Sequence, residues 1–316
     1  MKIVIPGGTG KVGGILTRAF RAKGHEVVVL SREGEGRDGL VSWDGRTLGD
    51  WAREIDGSDA VINLAGRSVD CRYTDANLQE MMRSRVDSAR VVGQAIGQAK
   101  KPPRVWLQMS TATIYAHRFD KPNDEATGQI GGSEPDVPEY WGFSIEIAKA
   151  WEDELAKAQT PKTRKVAMRT AMVMSPDKGS IFDVLLRMVR LGLGGPIGGG
   201  AQFVSWICDL DFVRAVEFLM ERDDLSGAVN LASPQPLPQR EFMKAIRDAW
   251  GVPIGLPAAK WMAEIGAFFL RTDTELLFKS RRVVPGRLLD AGFVFEYSDW
   301  PAAAADIVRR RRLGNS

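Results

Sequence analysis

The 316-residue chain has only two cysteines, Cys71 and Cys208, far apart and without CxxC spacing or a His-rich neighbourhood. That excludes a disulfide framework, offers no zinc-ligand pattern and fits a reducing compartment. No stretch approaches the roughly 18 apolar residues of a membrane span, and Met1 runs straight into Ile3-Val4-Ile5 without a basic and then apolar leader. A soluble, cytoplasmic protein with no membrane partner is expected. Charge of one sign is also scarce: 43 basic against 40 acidic side chains leave a formal +3, too little to imply a nucleic-acid partner by bulk field. Internal repeats and low-complexity blocks are absent. With 44% hydrophobic and 26% charged residues, the composition excludes a disordered or collagen-like chain. The one unbalanced stretch, Arg309 to Arg312, reads as a solvated, unstructured tail rather than a phosphate contact.

Through the first half, short β-branched runs alternate with amphipathic segments of helix length, the pattern of βαβ units building a parallel sheet. Strands are expected at Lys2 to Ile5, Glu26 to Leu30, Leu40 to Trp43, Ala60 to Leu64, Val105 to Met109 and Val166 to Met172. Helices are expected at Val12 to Ala22, Leu48 to Glu54, Asn77 to Gln98 and Ile145 to Ala158. Asp120 to Pro138, rich in Pro, Gly, Asp and Glu, reads as a functional loop. Beyond Met174 the texture changes. A helix from Ser180 to Leu191 runs into Gly192 to Gly200, six glycines and a proline that predict a loop or hairpin. Helices follow at Asp211 to Arg222, Arg240 to Trp250, Ala258 to Leu270 and Thr274 to Phe278. The fold class is α/β: a Rossmann-like doubly wound parallel sheet over residues 1–175, with later segments open to completing it. Residues 176–316 form a smaller, mainly helical C-terminal lobe on the substrate side.

The most informative residues come first. Lys2 to Gly13 reads as a strand, a glycine turn and a helix start, with Gly7, Gly10 and Gly13 in GxxGxxG spacing and Gly8, Thr9, Lys11 and Val12 between them. A tight turn lets backbone N–H groups approach a pyrophosphate, aimed by the partial positive charge of a helix N-terminus. At the first strand of a βαβ series this predicts dinucleotide binding. Arg32 closes the second strand nineteen residues beyond Gly13, near the interval of about 20 at which an acidic residue would bond a ribose 2′-hydroxyl. A guanidinium there suits a 2′-phosphate, with Ser31 and Lys11 adding a hydroxyl and an ammonium, so NADP(H) is preferred over NAD(H). If Glu33 faced the ribose instead, NAD would be preferred.

These residues resemble the extended and atypical branch of the short-chain dehydrogenase/reductase superfamily. Pro6 to Gly13 is similar to its TGGTGxxG loop, Asn63-Leu64-Ala65-Gly66 to its NxAG turn beside the adenine ribose, and Ser110 to Tyr115 to its SSxxxY segment. Finer matches resemble one family, the sugar-nucleotide epimerase-like proteins with a C-terminal domain of unknown function, relatives of the NAD-dependent epimerase/dehydratases. They are Arg83-Ser84-Arg85, Phe143 to Glu152, Arg169-Thr170, Leu191 to Pro196, Val204 to Ile207 with Asp211, and Arg282 to Phe293, spanning nearly the whole chain. The resemblance implies a cofactor across the C-terminal strand ends, contacts from Leu64, Ala65, Gly66 and Ser110, and Arg169, Gln202, Ser205, Trp206 and Asp211 bordering the substrate. It leaves the substrate unnamed, with a nucleotide sugar as one candidate class and a homodimer as one assembly.

The superfamily's chemistry uses a tyrosine as acid/base, a lysine four residues on that lowers its pKa, and a serine or threonine bonding the substrate oxygen. No YxxxK exists here. Tyr140 precedes Ser144 by four residues, Lys149 lies nine beyond Tyr140, and alignment on Trp151-Glu152 puts Ser144 and Ala148 where the pair would be. Thr111 matches the hydroxyl position, and Tyr115 and Tyr140 remain as candidate proton donors. His117 reads as a surface-loop histidine, and Asp124 and Glu125 are assigned no catalytic pairing. Two readings stand: an NADP-dependent oxidoreductase or epimerase with a non-standard site, and a non-catalytic NADP-binding sensor or scaffold.

Overall fold

The computed structural model describes residues 1–33, 39–69, 71, 73–135, 137–138, 140–258 and 278–314. Seven parallel strands form the main sheet: β1 Lys2–Pro6, β2 Glu26–Ser31, β3 Leu40–Ser42, β4 Ala60–Asn63, β5 Val105–Thr111, β6 Arg164–Thr170 and, from late in the chain, β10 Gly227–Leu231. Their order is β10-β6-β5-β4-β1-β2-β3, so the winding reverses between β1 and β4, where α/β sheets open a crevice at the strands' C-terminal ends. β1 pairs with β2 as Ile3↔Val27 and with β4 as Ile3↔Ala60.

Strands buried on both faces read as continuous apolar runs, and Ile3-Val4-Ile5 does so because its residues serve two cores. Ile3 and Ile5 pack with Leu16 and Phe20 of α1 Lys11–Ala22 and with Phe212 and Leu219 of α5 Asp209–Glu221. Val4 packs on the other face with Val92 of α2 Asp75–Gln98 and Trp151 of α3 Trp141–Lys157. Thr74 starts α2 by accepting the Asn77 N–H, an ordinary side-chain cap. The segment expected as a helix from Leu48 is a short 3-10 turn, Asp50–Glu54.

The rest of the chain builds a second core. β7 Met172–Met174 pairs in parallel with β9 Trp206–Cys208, and β8 Phe203–Val204 pairs antiparallel with β11 Leu237–Pro238. The strand expected from Val166 to Met172 is therefore interrupted at Ala171. α4 Ile181–Arg190, α6 Gln239–Trp250, α7 Gly286–Asp290 and α8 Trp300–Leu313 complete the described elements. Phe182, Trp206, Phe242 and Trp300 form the centre of this core, the last two stacked with centroids 4.1 Å apart. Gly192 to Gly200 is a loop with no hairpin of its own. The helices expected at Ala258 to Leu270 and Thr274 to Phe278 lie, but for Ala258 and Phe278, outside the described residues.

The arginine tail is not a solvated terminus. Arg309 to Arg312 form the last turns of α8, where Arg310 bridges Asp306 and Asp209 and Arg311 bonds Asp183 at 2.6 Å. Three carboxylates nearly closed to solvent hold these side chains, which explains why the run is ordered. No helix among the described residues is long and apolar enough to cross a membrane.

Candidate functional site

A cleft of about 900 Å³ lies at the C-terminal ends of the strands, floored by the β1–α1 turn. Two glycines are fixed there by geometry. Gly7 has φ +77°, and a Cβ on it would stand 2.7 Å from Ala65 Cα. A Cβ on Gly13 would stand 2.5 Å from Gly8 Cα, closer than the backbone permits. The turn therefore packs directly onto the Asn63 to Gly66 segment. Asn63, fully buried, holds that segment in shape: its Oδ1 accepts the Ala65 N–H at 3.1 Å and its Nδ2 donates to Gln108 Oε1 at 2.9 Å. Gly10 caps α1 without a side-chain acceptor, and no acid lies in the first turn. The opening amides of α1 thus face the cleft with the helix dipole behind them, a cradle suited to an anion.

Among the expected cofactor residues, Gly7, Thr9, Gly10, Lys11, Val12, Gly13, Leu64, Gly66 and Ser110 line the cleft, whereas Gly8, Ala65, Ser31 and Arg32 lie off its walls. Ser31 is buried at the end of β2, its hydroxyl 3.4 Å from Thr9 Oγ1 and accepting the Glu33 N–H at 3.3 Å. Arg32 and Glu33 are both exposed beside it. Lys11 reaches the Lys178 carbonyl, and Arg18 pairs with Asp177 at 2.5 Å, so the loop after β7 closes over the glycine turn.

At the other end stand Ser110, Thr111, Thr113 and Ser144, with Met109, Ile147 and Trp151 behind them. Thr111 Oγ1 accepts the Thr113 N–H at 3.1 Å. Ser144 is on the wall, Ala148 is buried one turn further along α3, and Lys149 is exposed, donating toward the Gly131 carbonyl. Ser110 donates to Glu152 Oε1 at 2.6 Å, which ties its hydroxyl down.

The structure does not bring the tyrosine candidates to the cleft wall. Tyr115 is 2% exposed; its hydroxyl donates to Asn230 Oδ1 and accepts from Arg169 Nη1, both at 3.0 Å. Burial pushes its phenol pKa up, against the pull of Arg169. Tyr140 is 44% exposed just ahead of α3 and off the cleft lining. Arg169 bonds both oxygens of Glu152, at 2.9 and 2.7 Å, and is not on the cleft lining; burial lowers its pKa, but Glu152 raises it overall. Gln202 donates to the Ile197 carbonyl, and Ser205 ties the chain to Arg281 and Val283. Trp206 is fully buried against Trp300, with no face left for stacking a ligand. Asp211 accepts the Glu296 and Tyr297 amides. Each of these side chains has protein partners for its polar atoms, and none is on the cleft lining.

His117, read as a loop histidine, is half-buried: its Nδ1 accepts the Ser280 N–H at 2.7 Å, and burial, then Lys279, lowers its pKa. Glu125 accepts the amides of Asn230 and Arg287, and burial raises its pKa. The loop from Asp120 is thereby pinned to β10 and α7. Residues that sequence reasoning missed on the cleft wall include Tyr73, Arg85, Thr170 and Arg281. Arg281 comes from the C-terminal segment and donates to Thr113 Oγ1 at 3.2 Å across 168 residues of chain, a separation that leaves no local signal.

The family model described as NAD dependent epimerase/dehydratase matches residues 3–232, the span that builds the sheet and all of the cleft wall but Arg281. The chain belongs to that family. A second model, for a domain of unknown function, DUF1731, matches residues 258–307. The epimerase family protein SDR39U1 of Bos taurus is 31% identical over 98% of this chain and 100% of its own length. The crystal structure of human SDR39U1 with NADPH superposes with a TM-score of 0.85 at 28% identity, covering 98% of this chain and 99% of that one. A nucleoside-diphosphate sugar epimerase from Corynebacterium glutamicum gives 0.76 at 25% identity, covering 98% of this chain and 58% of that one. Family members share this α/β architecture, so the Rossmann-like sheet with a helical C-terminal region is the family fold.

Proposed function

We propose that the protein is an NADP(H)-binding oxidoreductase or epimerase acting on a carbonyl or hydroxyl group of a small molecule, a nucleotide sugar being the class suggested by its relatives. The observation that carries this is the glycine cradle: Gly7 and Gly13 admit no Cβ where an uncapped helix opens onto a cleft of about 900 Å³. The group fits that cradle, whose amides would hold the pyrophosphate. Arg32, with Lys11 and Ser31, would take a 2′-phosphate, and the NADPH in the human relative supports the same preference over NAD(H). Residues 1–175 hold the cofactor in this reading, and residues 176–316 supply the substrate side.

When bound, the nicotinamide would supply or accept hydride at its C4. Thr111 Oγ1 and Ser144 Oγ, both on the cleft wall, would bond a substrate oxygen, with Leu64, Met109, Ile147 and Trp151 as apolar neighbours. Calorimetric titration with NADPH and NADH tests the cofactor, with NADPH expected to bind at least tenfold tighter and the Arg32→Glu variant to lose that margin. No heat with either coenzyme at millimolar concentration would end the proposal.

One feature favours a second reading, a non-catalytic NADP-binding sensor: Ser144 and Ala148 occupy the places of an acid/base pair. NADPH oxidation across carbonyl and sugar-nucleotide substrates separates the two. A turnover that Thr111→Ala abolishes while NADPH still binds excludes the sensor.

A further inference from the structure

Arg85 belongs to the Arg83-Ser84-Arg85 triplet, which the proposed reaction does not use. On α2 its neighbours are paired at home: Arg83 with Glu80 at 3.4 Å and Arg90 with Asp87 at 3.1 Å. Arg85 instead lines the cleft, its guanidinium 5.1 Å from the centroid of the Trp151 ring, with one bond to the Met81 carbonyl at 3.0 Å. Its stem presses on the cleft's rim so closely that a Cβ on Gly66 would stand 3.2 Å from it. Among the described residues no carboxylate lies within salt-bridge distance of it. Trp151, the ring beneath it, has an indole N–H with no hydrogen-bond partner among those residues.

A guanidinium carries five N–H donors in a planar fork, and among the described residues Arg85 has one hydrogen-bond acceptor, the Met81 carbonyl, so an oxyanion in the cleft would take up donors for which those residues supply no acceptor. Burial pulls its pKa down to about 10, which still leaves it charged at neutral pH. The other cations of the cleft are placed differently. Lys11, Arg18 and Lys178 gather at the glycine turn, where the cofactor's phosphates are assigned, and Arg18 already holds Asp177, while Arg281 donates to Thr113 Oγ1 at 3.2 Å. Arg85 stands on another wall, fixed between the Gly66 turn and Trp151 by a cation–π contact that orients its fork.

We propose that Arg85 is a second anion subsite of the cleft, and that the substrate presents a carboxylate or phosphate oxygen to it. This rests on the cofactor reading, which assigns the dinucleotide's own phosphates elsewhere. The test compares wild type with Arg85→Met, which keeps the packed stem, and Arg85→Lys, which keeps the charge. Each is titrated with NADPH by calorimetry. Each is then titrated with inorganic phosphate, and separately acetate, at constant ionic strength, with and without saturating NADP, reading the midpoint of thermal unfolding.

NADPH affinity should stay within about twofold in all three proteins. Phosphate or acetate should stabilise wild type, bind Arg85→Met at least about tenfold more weakly, and be partly restored in Arg85→Lys. If Arg85→Met loses NADPH tenfold with anion binding unchanged, Arg85 serves the cofactor and the proposal falls. It falls equally if neither anion shifts the wild-type midpoint, or if both shift every variant alike. Failure of wild type to bind NADPH would sink the cofactor reading alone, because the anion arm without NADP reads Arg85 separately.

Discussion

Replacing Arg310 by alanine separates an ordered tail from a solvated one. Its guanidinium grips Asp209 with both Nη atoms, at 2.9 and 2.7 Å, and Asp306 through Nε at 2.7 Å. Asp306 would retain Arg309, but Asp209, 8% exposed at the start of α5, would keep only the Cys208 thiol among the described residues. Breaking a buried pair and stranding one charge costs about 3–5 kcal/mol. The Arg310 side chain is 23% exposed, so solvent screens part of that and about 2–4 kcal/mol is expected. For a chain of this size that lowers the thermal midpoint by roughly 3–6 °C. Arg309→Ala is the control: its side chain is 66% exposed, and its loss should cost at most about 1 kcal/mol. Arg310→Lys should fall between, since an ammonium cannot match the fork. Urea denaturation of the three variants measures the differences. Equal midpoints for Arg309→Ala and Arg310→Ala would refute the argument, because a solvated tail treats both arginines alike.

Gly13→Ala should weaken NADPH binding at least about tenfold, because the added methyl meets Gly8 at 2.5 Å and must push the cradle open; calorimetry showing unchanged affinity would dismiss the cradle. Glu152→Gln should cost about 2–3 kcal/mol in urea denaturation by stripping Arg169 of its charge partner and weakening the Ser110 bond, and an unchanged midpoint would mean that Arg169 finds another acceptor. His117 predicts the pH profile. Its pKa is lowered on folding, first by burial and then by Lys279, so below the ordinary histidine value of about 6.5 the unfolded chain binds more protons than the folded one. Its contribution to stability is complete above pH 6.5 and is lost as pH falls toward the folded pKa. His117→Asn, which keeps an acceptor for the Ser280 N–H, should flatten the unfolding free energy across that window, and an unaltered slope would assign it to other groups.

The first half of the fold was legible because its signals are local. Ile3-Val4-Ile5 and Val27 to Leu30 are apolar throughout because helices cover both faces, and the turn at Gly7 is adjacent to the strand and helix it joins. The second half hides its strands. β8 and β11 are two residues each and acquire meaning only by pairing with one another across more than thirty residues. β10 contains Asn230, a poor strand residue, tolerated because its side chain bonds the Tyr115 hydroxyl and the Val284 carbonyl. α8 places four arginines in a row, which reads as a terminus until Asp183 and Asp209, more than a hundred residues away, are brought beside them.

The same division runs through the site. The cofactor end is one contiguous motif and could be read directly. At the other end, tyrosine, tryptophan and arginine attract chemical readings by type, yet those types also pack, and burial decides between the two uses. Tyr115 and Trp206 are each no more than 2% exposed, and Arg169 is paired with Glu152, so the three stand off the cleft lining. The wall is formed instead by residues that only folding assembles: Arg85 from α2, Thr111 from the end of β5, Ser144 from α3 and Arg281 from the C-terminal segment. A proton donor of depressed pKa needs a neighbouring cation, and the lysine that would serve a tyrosine in α3 is an alanine here. The positive charge near Trp151 comes from Arg85, across the interface of α2 and α3, where a motif defined by spacing along one helix cannot register it.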